Sequence, residues 1–483
     1  MALNAAGYGQ RVSAMRQDWN VQTYQGTWWL PDEEDDAQPG TLTISDRGDI
    51  TLDLIGGFDL SIRTPTENGG WAVSADERDV PLIHGRTGNL NITIQDAWTR
   101  KSIAFGFGFS DRPDAHSLGG NRAFIGVHLP VDEPAAWQGC WVQLENLAPW
   151  LGPESIRQSA EIRSTSAELV SVADRSVAID GWAYTAVTRN GGFDFDIQRG
   201  DVSVVGLTST RLRIDAPGPC TIEHLDERVK AFMDLLTLAS GTACGVISMS
   251  VIPVEVPQLA GARAQSHIDV PVHARHVHQP DPHAPARPRH DWRFTCADRT
   301  FEELVAAWIP LQRQAIAGTS AYFGNYYDRP GYTESRALLN AVAAEATHRS
   351  LDTEPRQREL DQEDFTNRLQ RALDAMTTDE ERAWIRRKLR NSAAEPSFRQ
   401  RMRSIIQRIN EDAVAAIMSD VAQWLGDITK TRNGLAHEAV GLGDRLLELE
   451  QATDATYAAY LMALLGLDSA AQQRAAVKMR RPY

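Results

Sequence analysis

The hydrophobic period of this chain changes once, near residue 298, and that change limits the folds open to it. Before it, short runs such as residues 41–44 and 51–55 alternate apolar and polar side chains, which is the two-residue period of a half-buried strand. After it, apolar residues recur every three to four positions, as in an amphipathic helix. We therefore predict a mostly-β N-terminal domain of sandwich or barrel type, followed by an all-α helical bundle.

The N-terminal region is predicted to hold several more strands and one helix that closes it. In that helix, Leu225, Val229 and Phe232 fall at helical spacing, and Gly241 follows as a stop signal. Further strands are predicted at residues 89–94, 103–109, 160–163, 176–179, 193–197, 202–207 and 245–256.

Residues 263–290 form the clearest break in the chain, because they hold five prolines and six of the twelve histidines. Proline lacks a backbone N–H and fixes φ, so a regular helix is excluded there. We predict a sensing or regulatory domain at 1–265, a Pro/His-rich linker at 266–294 and the helical domain at 295–483.

The histidines of that linker raise the question of a metal site. His273, His276 and His278 lie near one another, but no Cys, Asp or Glu completes a tetrahedral set at a familiar spacing. We predict no metal and no cofactor, and a metal-dependent activity is the weakest of three functional hypotheses.

The helical region begins with a clear capping signal. Thr300 and Glu303 have the spacing of a capping box, and Pro310 is predicted to end the first helix. A longer helix starts at Thr333, with a predicted apolar face of Leu338, Leu339, Val342 and Ala346. Further helices are predicted at residues 363–376, 378–390, 397–409, 413–428 and 444–465.

Charge and cysteine usage exclude several classes of protein. The formal net charge is −15, which argues against a surface that coats nucleic acid. The charge is uneven, since residues 1–300 carry a net −13 and residues 301–483 a net −2. Four cysteines without a CxxC pair suit a reducing cytosol, and no membrane span or secretory signal is visible. We predict a cytoplasmic protein.

One motif in the helical region carries chemistry. Arg432, Asn433 and His437 belong to the only Arg-x4-His segment of the chain, and Gly434 is expected to break or turn the helix between the Arg and the His. A neutral imidazole can accept the proton of a ribose 2′-OH, an imidazolium can donate one to the leaving 5′-oxygen, and a guanidinium can hold the phosphate. The alternative is a pair of side chains that only cap or join helices.

Other polar residues are candidates for a supporting role. Glu345 and His348 lie three apart and share a helix face, where they would either orient the motif or form an exposed pair. The candidate RNA-binding residues are Lys430, Arg386, Arg387 and Lys388, although the last three also fit a solvated helix face.

The motif and its surroundings resemble a known family. Residues 432–437 look like the R-x(4–6)-H signature of HEPN domains, and the segment around Glu345 is similar to an acidic helix position in the ApeA-like branch. Five segments of this chain also look like parts of the N-terminal domain of that branch. They are residues 26–31, 40–43, 52–56, 83–87 and 145–152.

The resemblance implies a single-protein bacterial anti-phage system with a metal-independent endoribonuclease. Arg432, Asn433 and His437 would then be catalytic, and Glu345 would support them. The products would be a 2′,3′-cyclic phosphate and a 5′-OH, so DNA would resist cleavage. The resemblance also implies an RNA substrate, with tRNA as one candidate, a phage-derived trigger, and a homodimer or higher oligomer through the HEPN domain. The alternative is a non-catalytic interaction or dimerisation protein whose β domain binds a protein partner.

Overall fold

The chain divides into two compact units in a computed structural model. One unit comprises residues 1–236 and 244–287, and the other comprises residues 237–243 and 288–483. The structure describes residues 21–65, 71–77, 79–103, 112–131, 137–152, 156–161, 164–197, 202–254, 269–280, 289–328, 331–351, 362–388, 396–437 and 445–479.

The first unit is built mainly from antiparallel strands, so the prediction of a β-rich region is confirmed. Of the predicted strand at residues 103–109, positions 104–109 lie outside the described residues. The strands are β1 (Gln22–Trp29), β2 (Gln38–Ile44), β3 (Ile50–Ile55), β4 (Ser61–Pro65), β5 (Trp71–Glu77), β6 (Val80–Thr87), β7 (Leu90–Ile103), β8 (Ala115–Ile125), β9 (Trp137–Leu144), β10 (Ile156–Glu161), β11 (Ser164–Leu169), β12 (Arg175–Ile179), β13 (Trp182–Ile197), β14 (Val202–Cys220), β15 (Val246–Pro253) and β16 (Val270–Ala274).

Six of these strands close into a barrel. The order β3-β2-β1-β6-β7 is completed by β8, which pairs with both β7 and β3. Inward-facing side chains such as Leu42, Leu52 and Leu118 are almost fully buried and form the barrel core, as the two-residue period predicts. The remaining strands of the large sheet, in the order β12-β13-β14-β9-β15-β16, continue from the other part of β8.

One glycine of the barrel makes room for a buried tryptophan. Gly85 on β6 pairs with Trp28 on β1, whose side chain is fully buried. A Cβ at Gly85 would lie 2.2 Å from the Trp28 ring, far inside van der Waals contact. Only glycine lets the two strands pair while the indole lies across them.

Part of the segment predicted to be a linker is a strand. Within 266–294, β16 pairs with β15 on one side and with β8 on the other. Pro271 pairs with Ser250 of β15 and so lies inside this short strand. The β-rich unit therefore takes up this part of the proline-rich segment.

The helices confirm the change of period near residue 298. Among the described residues before it lie α1 (Leu147–Leu151) and α2 (Ile222–Ser240), and Gly241 ends α2 with φ +73°, as predicted. After it follow α3 (Phe301–Gln314), α4 (Ile316–Tyr327), α5 (Thr333–Leu351), α6 (Gln362–Asp374), α7 (Asp379–Lys388), α8 (Phe398–Arg408), α9 (Glu411–Ile417), α10 (Val421–His437), α11 (Leu446–Leu464) and α12 (Ser469–Met479). No helix in the described ranges is long and apolar enough to cross a bilayer.

The first helix of the bundle starts as predicted and ends later. Thr300 and Glu303 form the capping box, but the prediction that Pro310 ends the helix is wrong, since α3 continues to Gln314. Leu311 and Gln312 are buried beyond the proline, so their packing outweighs the backbone hydrogen bond that Pro310 cannot make.

The predicted apolar face of α5 is also wrong. Val342 is 39% exposed, whereas the buried positions are small or polar and include Ala341, Ala344 and Thr347. Small side chains let a neighbouring helix approach closely, so burial here follows helix spacing rather than side-chain hydrophobicity. The sequence pattern of large apolar residues therefore indicated the wrong side of the helix.

A buried polar network joins three segments of the helical unit. The Arg293 side chain, 8% exposed, donates to the Tyr326 hydroxyl at 2.9 Å and lies 3.3 Å from the Asp454 carboxylate. Tyr326 itself donates to Asp454 at 2.9 Å, and burial raises the pKa of Tyr326 to about 12. A buried guanidinium is tolerated when its charge and donors are satisfied in this way.

Candidate active site

The Arg-x4-His motif lies at the C-terminal end of α10, which packs against α5, α8 and α11. The prediction that Gly434 breaks the helix or turns it between Arg432 and His437 is wrong, because α10 runs without interruption to His437. The predicted helix at residues 413–428 is instead divided into α9 and α10 by residues 418–420. Asn410 caps α9, and Asp420 accepts from the N–H of Gln423 at the start of α10, so polar caps create a break that hydrophobic spacing did not show.

Burial changes steeply across the first residues of the motif. Thr431 is 2% exposed, Arg432 is half-buried and Asn433 is exposed. The motif therefore begins at the edge of the bundle, where a side chain can contact both the protein and solvent.

Arg432 is held by an acidic residue of α5. Its guanidinium lies 3.3 Å from Oε2 of Glu345, while Oε1 of the same carboxylate lies 3.1 Å from Arg349. The Glu345 side chain is 13% exposed and that of Arg432 is 32% exposed. Each carboxylate oxygen thus serves a different guanidinium, and Glu345 orients Arg432 from a partly buried position.

Two further groups define the position of the Arg432 guanidinium. It lies over the ring of Phe398 at 5.6 Å from the centroid, a cation–π contact, and it donates to the side-chain oxygen of Asn433 at 3.2 Å. A guanidinium has five donors, so the contacts with Glu345 and Asn433 leave donors for another ligand.

His348 takes a different position from the one expected. Its Nδ1 lies 3.3 Å from a guanidinium nitrogen of Arg401, and both side chains are 3% exposed. Arg401 is charged, so the Nδ1 of a neutral His348 is the acceptor. This pair joins α5 to α8 inside the bundle, on the helix that also carries Glu345.

The remaining predicted site residues are only partly described. The side chains of His437, Arg387 and Lys388 lie outside the described residues, although the backbone of each is helical. Lys430 is exposed on α10, close to Arg432 in sequence, whereas Arg386 is exposed on α7. The structure thus brings Glu345, Arg432 and Asn433 together, and Arg386 lies on a different helix.

Sequence reasoning missed three residues of this site. Arg349 follows Glu345 by one helical turn, and this (i, i+4) spacing was a signal that could have identified it. Phe398 and Arg401 begin α8 after a capping box at Ser397, and nothing local links them to the motif. The contacts of these two residues depend on how α8 packs against α5 and α10.

The metal hypothesis gains no support from the described part of the chain. Within it, no three His, Cys, Asp or Glu side chains lie close enough together to hold a metal ion. The linker histidines that raised the hypothesis include His276, whose pKa is lowered to about 4, first by burial and then by the nearby Arg122 charge.

Comparison with known proteins identifies the family. A family model described as ApeA N-terminal domain 1 matches residues 23–308, more than half of the chain. The chain belongs to the ApeA family. A second model, described as Apea-like HEPN, matches residues 338–471, which contain Glu345, Arg432 and His437. The resemblance inferred from the sequence is confirmed by both matches.

Family membership indicates the general function. An ApeA N-terminal domain joined to a HEPN domain indicates an anti-phage function of the ribonuclease type. The HEPN region is of a kind that generally acts as a ribonuclease. No curated protein and no solved structure gave a significant match to the chain.

Proposed function

We propose that this ApeA-like protein is a metal-independent endoribonuclease of anti-phage defence, with Arg432, Asn433 and His437 as its catalytic residues. The observation that carries the proposal is the position of Arg432. It is held by Glu345 on one side and by Phe398 on another, and it remains one-third exposed at the edge of the bundle. Because it is partly exposed, the guanidinium keeps N–H donors that can reach a phosphate.

The reaction uses the RNA itself as the nucleophile. The imidazole of His437 accepts the proton of a ribose 2′-OH, and the resulting oxygen attacks the adjacent phosphorus. The bond from phosphorus to the 5′-oxygen breaks, and that oxygen takes up a proton from an imidazolium. The products are a 2′,3′-cyclic phosphate and a 5′-OH, with no metal ion or cofactor required.

Arg432 stabilises the charge that builds on the phosphate oxygens. A guanidinium stays charged at any physiological pH and matches two phosphate oxygens with two N–H groups. Glu345 accepts from this guanidinium with a side chain that is only 13% exposed, so it is a positioning residue rather than a group that contacts RNA. Asn433 also accepts from the guanidinium but is exposed, so its amide N–H groups can donate to the RNA. Lys430 and Arg386 would add phosphate contacts that do not depend on sequence.

The assembly and its control are further parts of the proposal. HEPN domains commonly pair so that two motifs share one cleft, and a homodimer would bring a second His437 to donate the proton. The N-terminal domain would keep the enzyme inactive in the cytoplasm until a phage-derived trigger binds it. A tRNA loop is the proposed substrate, because splayed single-stranded bases are accessible to cleavage.

The test is RNA end-mapping in cells that express the full chain, with and without phage. Wild type should produce new 5′-OH ends and 2′,3′-cyclic phosphates, and His437→Ala and Arg432→Gln should abolish them. The matched controls are His224→Ala and Arg403→Gln, which change an exposed residue of the same type elsewhere.

The purified protein provides the second arm. Cleavage should continue in excess chelator, and loss of cleavage there would overturn the metal-independent mechanism. Identical RNA ends and identical protection in wild type and His437→Ala would instead favour the non-catalytic interaction protein. In that case changes on the surface of the β-rich unit, rather than in the motif, would remove protection.

A further inference from the structure

A cleft of about 840 Å³ opens in the β-rich unit where two strands separate. One edge of β8 pairs with β3 up to Gly120, and from Arg122 onward the partner is β16. Asn121 lies exposed at the junction. Because the pairing partner changes at this point, the sheet leaves an opening that the surrounding side chains only partly fill.

An exposed aromatic ring lines this cleft. Trp98 on β7 is 49% exposed and pairs with Gly119 on β8. A Cβ at Gly119 would lie 2.6 Å from the indole, so the ring lies over a position where any side chain would displace it. A half-exposed indole supported by backbone presents a flat apolar surface of the kind on which planar rings stack.

A positive charge lies on the same strand as this ring. Arg100 is exposed, lines the cleft with Trp98, and donates to the hydroxyl of Thr51 at 2.6 Å. The pairing of β7 with β8 shifts register between Thr99 and Lys101, so Arg100 lies at an irregular step of the strand, and its side chain and that of Trp98 line the same cleft. Among the described residues no carboxylate pairs with Arg100, so its charge remains available.

The other charged groups of the cleft neutralise one another. Arg122 lies 2.5 Å from Asp226 and 3.4 Å from Glu223, and Arg275 lies 3.6 Å from Asp49. Among the described residues that line the cleft, Arg100 is therefore the arginine without a carboxylate partner, in a region of the sequence that is strongly acidic. That acidic background disfavours a long polyanion, but it does not prevent one small anion from reaching a local cation.

We propose that this cleft binds a free nucleotide, with its base stacked on the indole of Trp98 and its phosphate bound by the guanidinium of Arg100. Asn121 supplies an amide that can donate to and accept from the ring edge. The site is separate from the Arg432 site and stands whether or not the chain cleaves RNA. A planar ring with a phosphate also occurs in single-stranded RNA, and the experiment distinguishes the two sources.

Isothermal titration calorimetry of the full chain tests the proposal. The probes are AMP, GMP, CMP and UMP, with adenosine, inorganic phosphate and a short single-stranded RNA as comparison ligands. We expect at least one nucleotide to bind at one site per chain. Trp98→Ala and Arg100→Gln should each raise the Kd of that nucleotide about tenfold, because each removes one stacking or charge contact. Adenosine and phosphate alone should each bind about tenfold more weakly than that nucleotide.

Matched variants separate this binding from other effects. Trp384→Ala removes a tryptophan of similar exposure, 53%, from the helical unit, and Arg368→Gln removes an exposed arginine from the same unit; both should leave the Kd unchanged. Arg432→Gln should also leave it unchanged, which excludes binding at the candidate active site. Trp98→Phe keeps a stacking ring and should give an intermediate Kd.

Three outcomes would overturn the proposal. The first is that no mononucleotide binds. The second is that the Kd stays within about twofold of wild type in both Trp98→Ala and Arg100→Gln. The third is that the RNA strand binds although no mononucleotide does. Circular dichroism confirms that each variant is folded. Arg100→Gln changes an exposed side chain, so it remains informative if Trp98→Ala does not fold.

Discussion

The ion pair between Glu345 and Arg432 should contribute measurably both to stability and to activity. Their side chains are 13% and 32% exposed, so the pair lies between a protected charged hydrogen bond, worth about 1.5–3 kcal/mol, and an exposed pair, worth about 0.2–1 kcal/mol. We expect a coupling energy of about 1 kcal/mol, within these limits. Arg349 contacts the same carboxylate but is 60% exposed, and its coupling should be about 0.3 kcal/mol.

A pair of double-mutant cycles measures both values in one protein. The variants are Glu345→Gln, Arg432→Gln, Arg349→Gln and the two doubles, followed by urea unfolding with circular dichroism, in which the helical unit dominates the signal. Each cycle removes the same carboxylate, so the Arg349 cycle is a matched control for the Arg432 cycle. The difference between the two coupling energies therefore reports which guanidinium, that of Arg432 or that of Arg349, Glu345 binds more strongly.

Activity gives a second measure of the same contact. A loss of about 1 kcal/mol in the orientation of Arg432 corresponds to a decrease in cleavage rate of about fivefold, and Arg349→Gln should leave the rate close to wild type. Equal coupling energies in the two cycles, or an Arg432 coupling below about 0.3 kcal/mol, would refute the view that Glu345 positions the catalytic arginine. So would an unchanged cleavage rate in Glu345→Gln.

Three other substitutions test the fold. Gly85→Ala places a methyl group 2.2 Å from the buried Trp28 ring and should lower the free energy of unfolding by about 2–3 kcal/mol, seen as a lower thermal midpoint. The pKa of His276 is about 4 in the folded state and near the ordinary 6.5 in the unfolded state, so the folded state loses stability as pH falls from about 6.5 to about 4. In urea unfolding at several pH values, His276→Gln should make this loss of stability smaller. The control His224→Gln, at an exposed position, should change the loss less. Pro310→Ala restores a backbone donor inside α3 and should raise the free energy of unfolding by about 2 kcal/mol; no increase in the urea midpoint would contradict that account.

Local periodicity predicted the two structural classes of this chain because it depends on near neighbours. A strand that buries one face must alternate, and runs such as β2 and β3 do so whatever pairs with them. Closure of the barrel is a different matter, since it requires β8 to pair with β7 and β3 at the same time. Those pairings join positions far apart in sequence, and no local pattern records which edge meets which.

In the candidate site, too, the local features could be predicted from the sequence and the contacts between helices could not. The Arg-x4-His spacing and the nearby Glu345 can be recognised in the sequence, because each lies within one segment with a familiar pattern. The Phe398 ring beneath Arg432 and the pairing of His348 with Arg401 arise only when α8 packs against α5 and α10. Gly434 misled the sequence prediction for a related reason, because the helix cost of one glycine, about 1 kcal/mol, is small beside the packing of a long helix.

The geometry around Glu345 depends on how closely α5 approaches its neighbour. A Cβ at Gly318 on α4 would lie 2.1 Å from the Thr347 hydroxyl and 2.7 Å from the Ala343 carbonyl, so this crossing is as tight as glycine permits. Ala343 and Thr347 lie on either side of Glu345 along α5. Any larger residue at Gly318 that forced α4 and α5 apart would therefore displace the carboxylate that holds Arg432. The buried contact between these two helices has no chemistry of its own, but it sets the position of the proposed catalytic arginine.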